Sequence, residues 1–148
     1  MRYKLRNLVL QSLYEIDCTS HPADEVVQRV IEENSLDSDN SEFLRHLVIG
    51  VNEQAERIDE RIRSYATEWP VEQLAIVDRS ILRMAIFELA ASPDVPVRVI
   101  INEAVELAKT FGSETAPRFI NGVLGAIVEK ELFSTPSSGD ENPVSLSS

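Results

Sequence analysis

DVPVRVIINEAVELAKTFGSETAPRFINGVL, residues 94–124, holds the one strand-like piece of the chain at the head of two helical patterns. Its opening, VPVRVII, is β-branched and strand-like. From there Ile101, Ala104, Val105, Ala108 and Phe111 recur at the three-and-four spacing of one helix face. Gly112 follows as the expected left-handed C-cap. From about Ala116 to Phe133 a second helix carries the stripe Ile120, Val123, Leu124, Ile127 and Val128, with Gly122 and Gly125 expected to admit a neighbouring backbone. Nowhere else do alternating apolar runs and turn pairs suggest a sheet, so the expected fold class is all-α.

The flanking sequence agrees. Leu5, Leu8, Val9, Ser12, Leu13 and Ile16 form the inward face of a first helix. Pro22 with Asp24 and Glu25 opens a second. NSLDSDNS, residues 34–41, reads as a loop with an N-cap at Asn40 or Ser41. A long helix then runs from about Glu42 into the sixties, with Leu44, Val51, Ile58 and Tyr65 at seven-residue intervals. After Pro70, VEQLAIVDRSILRMAIFELAA is apolar on most sides, which predicts a central buried helix whose charges Asp78, Arg79, Arg83 and Glu88 need partners. The Ser- and Pro-rich residues 134–148 are expected to be disordered.

At 148 residues, 43% hydrophobic and 26% charged, the chain suits one globular domain. No apolar run approaches the roughly 20 residues of a membrane span, and no charged-then-apolar leader is visible, so a cytoplasmic location is expected. The lone cysteine, Cys18, fits a reducing compartment and reads as filler at a helix end. The apolar seams suit a monomer or a homodimer alike.

Catalytic and metal chemistry are poorly represented. Cys18 and His21 lack a second pair to complete a tetrahedral zinc site. Asp37, Asp39 and Ser41 imitate a calcium loop, but Glu42 stands where glycine is needed. Glu103 and Glu106 lie one turn apart without the histidine that carboxylate iron sites carry, so surface or interhelical pairing is expected. No nucleophile–base grouping or phosphate loop appears. No cofactor and no metal is expected, and no enzyme activity.

Charge is unevenly distributed. Asp and Glu number 25 against 14 Lys and Arg, a formal net charge of -11, yet Arg2, Lys4 and Arg6 cluster in the first six residues. That acidity argues against a general duplex binder but leaves room for a local basic patch. On a helical wheel Tyr3, Lys4, Asn7, Gln11 and Tyr14 gather opposite the apolar stripe, with Arg6 on the flank. Cations for phosphates, amides for base edges and rings for stacking are what single-stranded RNA recognition uses.

Three separated blocks, LVLQSLYEID, VDRSILRMAIFEL and DVPVRVIINEAVELAKTFG followed by RFINGVL, resemble the NusB family of bacterial transcription antitermination factors. The similarity spans about Arg2 to Leu132. It implies a NusB-like helical bundle over residues 1–133, in two small subdomains of about 1–69 and 70–133. It further implies a noncatalytic protein that binds the boxA element of ribosomal RNA leaders together with the ribosomal protein NusE, within an RNA polymerase antitermination complex. A similar domain precedes some ribosomal RNA methyltransferases, but no methyl-donor domain is expected here.

By position, the resemblance assigns RNA contacts to Arg2, Lys4, Arg6, Gln11, Tyr14, Tyr65, Phe111, Thr115, Arg118 and Phe119, and the basic partner to Asp78. Lys4 and Arg6 are then expected to be removable without much loss of stability. Two departures stand out. Tyr3 and Leu5 dilute the family's arginine run, which should make RNA binding lean on the partner. FGSET replaces FGAED, so Thr115 removes an acid from the expected RNA path and should favour RNA.

Overall fold

Proline and capping residues set where the helices begin. The computed structural model describes residues 2–66 and 70–133, and these form six α-helices and no strand. They are α1 (Arg2–Cys18), α2 (Ala23–Glu33), α3 (Ser38–Tyr65), α4 (Ile76–Ala91), α5 (Val97–Phe111) and α6 (Ala116–Val128). Pro22 and Pro96 stand immediately before α2 and α5, and Pro117 lies in the first turn of α6, where its missing N–H costs nothing. Asp37 caps α3 by accepting from the Asn40 N–H at 2.9 Å, so the helix starts earlier than Asn40 or Ser41 and the loop is shorter than expected.

Other local expectations need correction. VPVRVII is no strand: from Val97 it is the first turn of α5, because tertiary burial of Ile100, Ala104, Leu107 and Ala108 overrides β propensity. The buried side is therefore rotated from the expected one, and Phe111 is left 43% exposed. Gly112 is extended (φ -88°, ψ -179°), not left-handed. The stretch after Pro70 makes a short 3-10 turn, Val71–Gln73, before α4 begins. α6 ends at Val128 and passes into a π-turn, Glu129–Phe133. A side chain on Gly122 or Gly125 would meet nothing within 4 Å, so neither serves close packing. Cys18 is exposed, not core filler. Residues 134–148, the expected disordered tail, lie outside the described residues.

The glycine that does matter is Gly50 on α3. A Cβ there would lie 2.1 Å from Cζ of Phe87, so the absent side chain lets α4 press its ring against the α3 backbone. His46, one turn earlier, packs on the same ring at 5.2 Å. α3 itself is interrupted at Gln54 (φ -109°, ψ 16°), yet Val51 and Ile58 on either side both stay buried.

α4 is the central helix, packed by α1, α3, α5 and α6, and its residues 80–82 and 84–89 are all buried. One apolar core runs through both halves of the chain, joining Val9 and Leu13 of α1 to Leu44 and Ile58 of α3, Ile81 and Ile86 of α4, and Ile120 and Leu124 of α6. Each α4 charge finds a partner. Arg83 grips Asp59 through two bonds of 2.8 and 2.7 Å, Arg79 and Arg83 share Asp17, and Glu88 holds Arg6. Among the described residues no helix is long and apolar enough to cross a membrane.

Candidate nucleic-acid interface

α1 offers one open side. Lys4, Gln11 and Tyr14 are exposed and Asn7 is half-buried; at offsets of three, seven and ten residues from Lys4 these four share one helix side within about 80°. Among the described residues Lys4 and Gln11 make no side-chain bond. The neighbouring Cys18 thiol, one turn on, raises the Tyr14 phenol above its ordinary pKa.

Arg6 overturns its expected role. It is 3% exposed, its Nε donates to Glu88 Oε1 at 3.1 Å and its Nη2 to Glu88 Oε2, and Glu103 lies 3.7 Å from Nη1. The reason is angular: two residues carry Arg6 about 200° around from Lys4, onto the side facing α4 and α5. Arg6 is thus an internal ion pair and not a phosphate ligand, and its reversal is no harmless change. The side chain of Arg2 lies outside the described residues.

Tyr14, Gln11 and Leu10 of α1 meet Val77 of α4 and Phe111 of α5 around an open, carbon-rich cavity of about 230 Å³. Tyr14 is 45% exposed, so two rings a long way apart in sequence form one accessible aromatic surface. The fold thereby unites Gln11, Tyr14 and Phe111. Leu10 and Val77 were not foreseen, because an apolar side chain carries no chemical signal that separates a cavity wall from core.

A second cavity has a volume of about 570 Å³. Gln73, Ala75, Asp78, Ser113, Thr115, Ala116, Arg118 and Phe119 line it, bringing three expected RNA residues together. Arg118 and Thr115 are exposed and Phe119 is half-buried at the start of α6. No acid occupies the first turn of α6, so its partial positive end is not neutralised there.

Asp78 is also reassigned. It is 6% exposed, and its carboxylate accepts from the Ser113 N–H at 3.2 Å and from the Ser113 hydroxyl at 2.7 Å. Asp78 therefore ties the α5–α6 connection to α4, with each of its oxygens bonded within the protein. Gly112 makes this possible, since a Cβ there would lie 2.8 Å from Asp78 Oδ1. Ser113 was missed because nothing local links residues 35 apart in sequence.

Tyr65 is half-buried at the end of α3 and donates its hydroxyl to Glu131 at 2.7 Å, a carboxylate that Arg61 also pairs. Its hydroxyl is thus committed to the protein. Glu103 and Glu106 are paired with Arg6 and Lys109, the interhelical and surface pairing expected of them.

Residues 3–129 match the model of the NusB family. A transcription antitermination protein NusB of Dehalococcoides mccartyi (strain CBDB1) is 49% identical over 140 residues, 95% of this chain and 97% of that one. One from Roseiflexus castenholzii is 46% identical over 88% and 93%. Among solved structures, NusB of T. maritima aligns with TM-score 0.81 at 30% identity, covering 88% of this chain and 92% of that one. A crystal structure of antitermination factors NusB and NusE in complex with dsRNA aligns with TM-score 0.77 at 28% identity, over 88% and 98%.

Proposed function

The chain belongs to the NusB family of transcription antitermination factors, which are not enzymes, and from that premise we propose that it binds single-stranded boxA-type RNA jointly with the ribosomal protein NusE. In the cytoplasm this would help RNA polymerase traverse ribosomal RNA operons without premature termination. The observation that carries the reading is the grouping of the expected residues: Gln11 and Tyr14 line one open cavity with Phe111, and Thr115, Arg118 and Phe119 line another.

The chemistry suits a single strand. Lys4 and Arg118 supply charge for phosphates, Tyr14, Phe111 and Phe119 supply stacking planes, and Gln11 and Thr115 supply polar contacts to base edges. Tyr65 contributes through its ring alone, its hydroxyl being taken. The acidity of the rest of the surface, at -11 overall, attracts a basic ribosomal protein and repels transcript that strays from the open face.

A second reading has its own support. With Arg6 turned inward, Lys4 is the one exposed cation of α1 among the described residues, which favours a protein-binding adaptor with little RNA affinity of its own. Fluorescence titration of a boxA-type oligonucleotide, with and without NusE, separates the two. Binding by the chain alone that weakens steeply with salt supports the RNA-binding factor. Signal only in the ternary mixture supports the adaptor, and no signal in either removes both.

A further inference from the structure

We propose that Arg6 and Glu88 are a positioning pair: their buried two-pronged ion pair fixes the rotation of α1 so that Lys4, Gln11 and Tyr14 face the transcript. This rests on the RNA-binding reading above and gives a role in binding to two residues that cannot reach a nucleotide.

The guanidinium of Arg6 meets three other helices. Glu88 of α4 takes two bonds, Glu103 of α5 stands at 3.7 Å, and the ring of Phe43 on α3 lies 5.5 Å from the guanidinium carbon. Tyr3 extends the clasp, its hydroxyl 3.4 Å from Thr110 Oγ1 at the far end of α5. A planar fork held on both prongs fixes direction as well as distance, which a single ammonium does not.

Direction is what α1 needs. Its inward side is aliphatic, with Leu5, Val9, Leu10 and Leu13 buried, and such a surface resists separation better than it resists a small roll. On a helix about 5–6 Å in radius, a roll of about 20° displaces surface atoms by about 2 Å, enough to break a hydrogen bond. Arg6 lies two residues after Lys4 and five before Gln11, so the fork clamps the helix beneath the open face. Stability alone does not call for an ion pair there, since apolar residues of similar volume commonly replace one without loss.

The test compares the parent with Arg6→Lys, Glu88→Gln and the double variant Arg6→Met/Glu88→Leu, chosen because an apolar pair keeps the site filled. A boxA-type oligonucleotide is titrated over a potassium chloride series, well below each variant's melting temperature, and amide hydrogen exchange is followed in residues 5–9 and 120–127. All three variants should bind at least about fivefold more weakly, with the parental slope of log affinity on log salt and with faster exchange in 5–9 but not in 120–127. Parental affinity and parental exchange in the folded double variant would overturn the proposal. So would a slope shallower by about 0.7 in the double variant, which would make Arg6 a phosphate ligand. Lys4→Gln tests the underlying reading separately. If it leaves affinity and slope untouched, the RNA reading of this face fails, and the exchange measurement still decides whether the clasp sets α1.

Discussion

α4 carries Asp78, Arg79, Arg83 and Glu88, and every one meets a partner inside the protein. α1 divides its charge: Arg6 is locked to α4, while Lys4, two residues away, meets no side-chain partner among the described residues. The first pattern builds the molecule and the second leaves something for another molecule to neutralise. An isolated arginine beside an isolated lysine says nothing of this in sequence. The phase of the helix assigns the roles.

Breaking the paired side should have the largest effect. Arg6→Ala strands the Glu88 carboxylate in the core and should cost about 3–5 kcal/mol, a fall in Tm of about 10 °C or more by calorimetry. Asp78→Ala removes two charge-assisted bonds to Ser113 and should cost about 1.5–3 kcal/mol in urea unfolding, loosening the connection that carries Thr115. An unchanged urea midpoint would return Asp78 to the partner-facing role it loses here.

Breaking the unpaired side should leave the fold alone. Lys4→Glu should change stability by less than about 0.5 kcal/mol, yet weaken boxA-type RNA binding and flatten its salt dependence by about 0.7 for each phosphate no longer neutralised. The smallest effect belongs to a partly exposed ion pair. Arg29, and then His21, hold the Glu15 carboxyl at about 2, below the ordinary 4.5. A depressed carboxyl stabilises the folded state above its unfolded pKa and ceases to as pH falls from about 4.5 towards 2. Both side chains are partly exposed, so screening keeps the contribution small. Arg29→Ala should therefore lower Tm slightly at pH 7, and the difference from the parent should vanish as pH falls from about 4.5 towards 2.

Much of the helical plan was legible because its signals are local. Pro22, Pro96 and the apolar spacing of α1, α3 and α6 mark their helices without help from the rest of the chain. The open face of α1 was legible for the same reason. What failed depended on contacts between distant residues. VPVRVII turned helical because α4 and α6 bury Ile100 and its neighbours, and Gly112 took an extended form in the connection that Asp78 binds through Ser113. Arg6 read as a surface ligand by its charge and Asp78 by the family resemblance alone, but each turned inward towards a residue 82 or 35 places away.

The single thiol of the chain closes this picture in a practical way. Cys18 is exposed at the end of α1, one turn past Tyr14. A maleimide dye attached there would sit at the rim of the aromatic surface with no residue exchanged. Its emission would then register an arriving strand on the native chain, while a dye indifferent to transcript would locate the docking track on some other flank.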